Sequence, residues 1–493
     1  MRPLTEWLAT APAARIAVRF EGRDLSYGEL AAQAAACAAW LQAQPGVGAG
    51  SRIAWLGHNC PEQLVLLFAC AQAGLMLLPF NWRLTSDELA AIAADAEPAL
   101  LVVEDSCAGL VNDALSERCG GRVVPLPELQ QAVATTAPSL RAAPPADTPL
   151  LLVYTSGTTG RAKGSVLTQG ALAANAANSW HMHGMTADDV VLTTLPMFHV
   201  GGLNIQTLPA LACSARVLLH PRFLPGKTLA AIESERPTLT VQVPATLQAL
   251  MHEPGWTSAR LDSLRALSTG STDVPIALIE HLHDRGVPVI QVYGATETCP
   301  LAIYQQAEEA RATVGSIGRG APGTEIRLVD KHGEEVADGE PGEILVRGPQ
   351  VSVGYFRDAD GTAAAFRDGW FHTGDVASRD AEGLYWFRDR IKNVIISGGE
   401  NIYPAEIERL ARTVPGVGEC AVVGRPDARW GHVPVMYVEA SAEGFDEERL
   451  RAAFKASLAR YKHPAAIEVL PALPRTALGK VDVGTLRARA RAH

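Results

Sequence analysis

Short apolar runs set between longer stretches of helical pattern recur along most of this chain, and that alternation limits its fold more than any other feature. Arg52–Leu56, Val190–Thr194, Ala215–Leu219, Thr238–Val243, Ala266–Ser268 and Val287–Val292 read as strands, because such runs are strand-length rather than helix-length. Strands that alternate with helices are buried on both faces as a mostly parallel sheet. The chain is therefore expected to be α/β, with two related sheets side by side. Near its start, Ile16, Val18 and Phe20 lead through a polar turn at 21–24 to Leu25 and Tyr27, a hairpin pattern. Ser26 with Glu29 three residues later is a capping box, which predicts a helix from Ser26 through Trp40. The longest apolar stretch, Leu64–Phe80, contains Gln72 and falls short of the ~20 residues that span a bilayer. It reads as a buried helix followed by a strand.

The punctuation changes after about residue 315. Glycine and proline at 315, 318, 320, 322–323, 339–342 and 348–349 break up short strands at 325–329 and 343–346, the pattern of a small β-barrel-like subdomain. Beyond Arg390 a third pattern begins: strands at 391–397, 420–423, 433–439 and 466–470, with helices at 404–413 and 446–458. A chain of 493 residues is too long for one core. The division expected is a large N-terminal domain, 1–390, and a small, mobile α+β C-terminal domain, 391–493.

Composition narrows the function. Hydrophobic residues at 47% exclude a mostly disordered chain. A net charge of −10 supplies no field for nucleic acid or an anionic membrane, though a local basic site for a small anion stays open. Eight scattered cysteines without a CxxC pair or a Cys/His cluster argue against structural zinc and a disulfide framework. With no leader pattern ahead of Glu6, the expected location is the cytoplasm.

The strongest local signal is an apolar strand, 150–154, that empties into Thr155, Ser156, Gly157, Thr158, Thr159 and Gly160 and on to Lys163. Glycines let backbone N–H groups converge on an anion, hydroxyls add donors, and lysine adds a point charge. This is a phosphate cradle by composition. A Walker A loop would need glycine at 162 and Ser or Thr at 164, where this chain has Ala162 and Gly164.

Residues 154–164 resemble the signature loop of the adenylate-forming superfamily, and further motifs match in that family's order. They are Leu195–Gly202 (LPMFHVGG), Val292–Thr298 (VYGATET), Gly369–Asp375 (GWFHTGD), Asp389–Lys392 (DRIK), Ser397–Pro404 (SGGENIYP) and Pro474–Lys480 (PRTALGK). The chain departs from the family's pattern at Ala162 and at Ser271-Thr272-Asp273. The resemblance implies an ATP-dependent carboxylic acid–CoA ligase acting through acyl-AMP, with ATP, Mg²⁺ and CoA. In size it is similar to short bacterial fatty-acyl-CoA and aryl-CoA ligases. The acid expected first is a medium- or long-chain fatty acid, with an aryl acid as the alternative; a carrier-protein acceptor is the further alternative. A homodimer is compatible with the resemblance.

Carried over residue by residue, the resemblance gives Glu297 and Thr155 to Mg²⁺, Thr296 to the α-phosphate and Tyr293 to adenine, and places Gly270 and Gly294 in the ATP/AMP site. Asp375 and Arg390 would hold the ribose. Lys480 would bridge the α-phosphate and the substrate carboxylate, since a flexible ammonium can follow charge as it moves onto pyrophosphate. His199, Gly201, Gly202, Gly294 and Ala295 would line the acyl pocket, with His199 as a gate to the thiol channel. Lys392 matches the hinge, and Ser397, Gly398 and Gly399 the passage for the pantetheine arm. A scaffold that had lost catalysis would be expected to lack Lys163, Glu297 or Lys480, and all three are present.

Overall fold

The computed structural model describes residues 3–138, 143–155, 162–271, 274–398, 400–441, 444–475 and 480–492. The chain forms two compact units, 1–326 with 346–372, and 327–345 with 373–493.

The first unit is built on two sheets. One has nine strands, ordered Arg319–Gly320, Ile303–Tyr304, Val289–Tyr293, Ala266–Gly270, Leu239–Val241, Val190–Thr193, Arg216–Leu219, Ile16–Phe20 and Arg23–Ser26. Its central strands are parallel, and antiparallel pairs close both edges. The other has six strands, ordered Val123–Pro125, Leu100–Val103, Arg52–Leu56, Met76–Pro79, Pro149–Thr155 and Lys163–Thr168, parallel except for the last pair. Helices cover them because the strands carry apolar side chains on both faces. The apolar stretch at 64–80 divides as expected, into helix Pro61–Ala73 and strand Met76–Pro79. Nine residues of that helix are buried, so its apolar girth comes from being enclosed on all sides.

Local chemistry sets the helix starts. Ser26 and Glu29 form the complete capping box of helix Tyr27–Gln42. Thr85 and Glu88 repeat the device on helix Ser86–Ala96. The turn-rich stretch holds the short strands Glu325–Val329, Gly342–Arg347, Trp370–Arg379 and Tyr385–Arg390 in a five-stranded sheet.

In the second unit, strands Ile395–Ser397, Glu400–Ile402, Val417–Asp427, Gly431–Ala440 and Ala466–Leu470 make a separate sheet. It is flanked by helices Pro404–Ala411 and Glu447–Ser457. One expectation is corrected here. The strand predicted over 391–397 begins only at Ile395, and residues Ile391–Asn393 form a 3-10 turn. The cause is Asp389, whose carboxylate accepts from the Arg390 N–H and Asn393 Nδ2 on one oxygen and from the Ala405 N–H on the other. It winds the chain around itself before the strand can start. Among the described residues, no helix is long and apolar enough to cross a membrane.

Candidate active site

In an open, mostly parallel sheet, ligands gather beyond the carboxyl ends of the strands. The predicted residues of the first unit lie at such ends. Thr155 closes Pro149–Thr155, Gly270 closes Ala266–Gly270, and Tyr293 closes Val289–Tyr293 with Gly294–Thr298 beyond it. Ser156, Gly157, Thr158, Thr159 and Gly160 lie outside the described residues. The next strand, Lys163–Thr168, runs back antiparallel with Thr155 opposite Lys163, and the Thr155 hydroxyl donates to the Lys163 carbonyl at 3.4 Å.

Glu297 sits in the 3-10 turn Thr296–Thr298 with 9% of its surface exposed. A carboxylate that buried must be hydrogen-bonded, and the Tyr355 hydroxyl donates to its Oε1 at 2.8 Å. The Glu297 carbonyl accepts from the Ser352 N–H at 2.7 Å, a bond that ties the turn to the 348–356 segment. Burial, and then the neighbouring carboxylate, push the Tyr355 phenol well above its usual range, so it stays a donor. The Lys163 ammonium stands 4.8 Å over the Tyr355 ring and 3.5 Å from Asp358 Oδ2. Tyr355 thus touches both Lys163 and Glu297, two predicted residues far apart in the sequence.

His199 caps helix Val200–Asn204, its Nδ1 accepting from the Gly201 N–H at 3.1 Å. Asn59 holds the segment before it: Nδ2 donates to the Leu195 and His220 carbonyls, and Oδ1 accepts from the Met197 N–H. The glycines at 202 and 294, expected to line the acyl pocket, sit where neighbouring backbone comes close. A Cβ at Gly202 would lie 2.3 Å from the Pro196 carbonyl oxygen, and one at Gly294 1.5 Å from that of Pro300. Close approach of backbone requires glycine at both. Thr296 is buried and Ala295 half-buried beside them.

In the second unit Asp375 lies opposite Arg390 in the strand register, with Arg390 Nε 3.1 Å from its Oδ1. Asp375 is buried while Arg390 is exposed. Lys392 is lowered from the ordinary lysine range by burial of its ammonium, then by Arg390 and Arg487, with Asp375 opposing. Lys480 is lowered too, first by burial of the ammonium and then by Arg390. Both residues are exposed overall, so solvent screening limits both shifts. Ser397 is buried, and the Gly398 N–H donates to the Trp430 carbonyl at 2.8 Å. Gly399 lies outside the described residues.

Sequence reasoning missed Tyr355, Asn59 and Trp430, and placed Asp389 within a motif without giving it a role. Asn59 had a signal, a polar turn directly after strand Arg52–Leu56. Tyr355 had none, because its partner Glu297 is 58 residues away.

Comparison with known proteins shows the family. The family model described as AMP-binding enzyme matches residues 4–356, and that described as AMP-binding enzyme C-terminal domain matches 406–480. Indoleacetate–CoA ligase of Aromatoleum aromaticum is 47% identical, over 99% of this chain and 98% of its own. Feruloyl-CoA synthase of an Amycolatopsis species is 41% identical, over 96% and 95%. The o-succinylbenzoate coenzyme A synthetase of Bacillus subtilis, solved with ATP and magnesium ion, superposes with a TM-score of 0.88 at 31% identity over 99% of both chains. The chain belongs to the AMP-binding, adenylate-forming enzymes, in their acyl- and aryl-CoA ligase branch. It is an acid–thiol ligase that uses ATP, Mg²⁺ and CoA and works through an acyl-AMP intermediate.

Proposed function

We propose that the acid activated is an aromatic one. The observation that carries this reading is the 47% identity to an indoleacetate–CoA ligase along nearly the whole of both chains. Relatives named for ferulate and 2-succinylbenzoate add to it. The medium- or long-chain fatty acid expected first finds no support among these relatives, and the aryl alternative fits them.

The chemistry assigns the residues their work. A carboxylate must displace pyrophosphate from the α-phosphorus of ATP, and two anions repel, so the protein has to neutralise charge and hold the atoms in line. Glu297, with Thr155 as second ligand, would hold Mg²⁺; one buried carboxylate and a hydroxyl suit a hard cation that takes its remaining oxygens from phosphate and water. When bound, the ion neutralises phosphate charge. Tyr355 keeps the Glu297 carboxylate aimed, and Lys163 brings a cation to the strand that follows the phosphate loop, 155–160. Thr296 would touch the α-phosphate, and Tyr293, beside Gly270 and Gly294, the adenine. Asp375 and Arg390 would take the ribose hydroxyls, and Lys480 the developing charge on the α-phosphate and carboxylate.

We place the working boundary at 390/391, with Lys392 as hinge. The antiparallel pairing of Asp375 with Arg390 ends there, and the 391–393 turn is tied by Arg487 to the C-terminal helix through the Lys392 carbonyl and Asn393 Oδ1. After adenylation the 397–399 segment would replace Lys480 and admit the pantetheine thiol, with His199 gating its route to the acyl-adenylate.

A panel of aromatic and aliphatic acids, followed by pyrophosphate release and by thioester mass, tests the reading. Aromatic acids should give the highest kcat/KM; a clear preference for long aliphatic acids would overturn it.

A further inference from the structure

The segment that links helices Val200–Asn204 and Thr207–Ala212 buries Gln206, which is 1% exposed. Its Nε2 lies 3.0 Å from His183 Nε2, 3.2 Å from the Ser268 hydroxyl and 3.4 Å from the Thr240 carbonyl. The direction of that amide follows from His183. The His183 Nδ1 is 2.8 Å from the Ser179 carbonyl, which can only accept, so Nδ1 carries the proton. Burial lowers this histidine to about 4, which leaves Nε2 bare as an acceptor at neutral pH. Turning the Gln206 amide over would set its oxygen against two acceptors, the His183 Nε2 and the Thr240 carbonyl. The Gln206 amide nitrogen therefore faces them, and Oε1 has no hydrogen-bond partner among the described residues.

Gln206 lines a small cavity with Thr193, Thr194, Gly202, Thr207 and Val241, about 10 Å³ in volume, room for one water-sized group. Of the three lining threonines, Thr194 accepts from Gln242 Nε2 at 3.0 Å, and the bonded pair of Thr193 and Thr207 leaves no proton for Gln206. Thr207 donates to the Gly202 carbonyl at 2.7 Å, and Thr193 spends its proton on the Thr207 oxygen at 2.7 Å. On the expectation that Gly202 lines the acid pocket, the cavity adjoins that pocket, and Gln206 is a lining residue with an unbonded acceptor.

We propose that Gln206 Oε1 reads a hydrogen-bond donor on the substrate's ring, an N–H or O–H, and so selects aromatic acids that carry one over isosteres that do not. This rests on the aromatic reading above and adds the polar group that the ring must bear. Sites that bond a substrate N–H or O–H reject the analogue lacking it strongly, because their own buried group is then left unpaired.

The test compares indole-3-acetate with benzothiophene-3-acetate, and 4-hydroxycinnamate with cinnamate, by kcat/KM for pyrophosphate release, in the wild-type enzyme and in Gln206→Met. In the wild type at least one donor-bearing acid should exceed its isostere by about tenfold or more. In Gln206→Met that ratio should fall to within about twofold of unity, through loss on the donor-bearing acid. Parity of both pairs in the wild type overturns the proposal even if the variant does not fold. So does equal loss on both members of a pair, which would make Gln206 a packing residue beside a trapped water. If the wild type turns over aliphatic acids and no aromatic acid, the aromatic reading falls and takes this role with it. Turnover of aromatic acids without discrimination leaves that reading standing and removes Gln206 alone.

Discussion

The surroundings of Glu297 and of Arg390 are built on opposite electrostatic plans. Around Glu297 each charge has a partner: the carboxylate takes the Tyr355 hydroxyl, and Lys163 takes the Tyr355 ring face and Asp358. Around Arg390, cations crowd one another. Lys392 and Lys480 are both lowered by burial and by the Arg390 charge, and Asp375 is the carboxylate paired with that arginine. The first region is preorganised and satisfied. The second carries positive charge that an anionic substrate would relieve, and binding energy is best used where charge develops during reaction.

The sharpest way to break that contrast is Lys480→Ala. Acyl-AMP formation, read as pyrophosphate release, should drop by about 10²–10³-fold, the usual loss when one charge-stabilising donor is removed. Thioester formation from supplied acyl-adenylate should change little, and equal loss in both half-reactions would contradict two uses of one mobile domain. The pH profile makes a second test. The Lys480 ammonium has its pKa lowered, so it deprotonates before an ordinary lysine would as pH rises. Adenylation should therefore decline on the alkaline side below pH 10.5, and Lys480→Arg should move that limb upward, since guanidinium keeps its proton. Measuring kcat/KM for pyrophosphate release against pH checks both statements.

Tyr355→Phe probes the satisfied region. Removing a hydroxyl that donates to a buried carboxylate costs about 1.5–3 kcal/mol, so adenylation should fall roughly ten- to a hundredfold. A higher Mg²⁺ requirement should accompany the fall, read as the half-saturating concentration, whereas a packing defect would leave that value unchanged. The smallest effect belongs to Ser26→Ala, at the capping box of helix Tyr27–Gln42. It should cost about 1 kcal/mol of stability by denaturant titration and leave both half-reactions untouched.

Much of the fold was legible from residue order alone. The capping box at Ser26 acts within four residues, and the helix–strand division of the apolar stretch at 64–80 depends on pattern length. Boundaries were less so: the predicted strand at 391–397 yields to a turn because Asp389 reaches the Ala405 N–H, 16 residues on. The strand Lys163–Thr168 was passed over because the glycine-rich signature around it reads as loop.

What sequence by itself determined is the order of short apolar strands and helices, and the placing of glycine, hydroxyl and lysine where a strand ends. Those are local effects of hydrogen bonding and side-chain periodicity, and they act between near neighbours. Only the tertiary structure decided that Tyr355 aims Glu297, that Asn59 holds the segment before His199, and that His183 turns the Gln206 amide toward a cavity. Each of these joins residues distant in the chain. A hydrogen bond requires its two atoms to meet within about 3 Å, and only the folded backbone brings such atoms together.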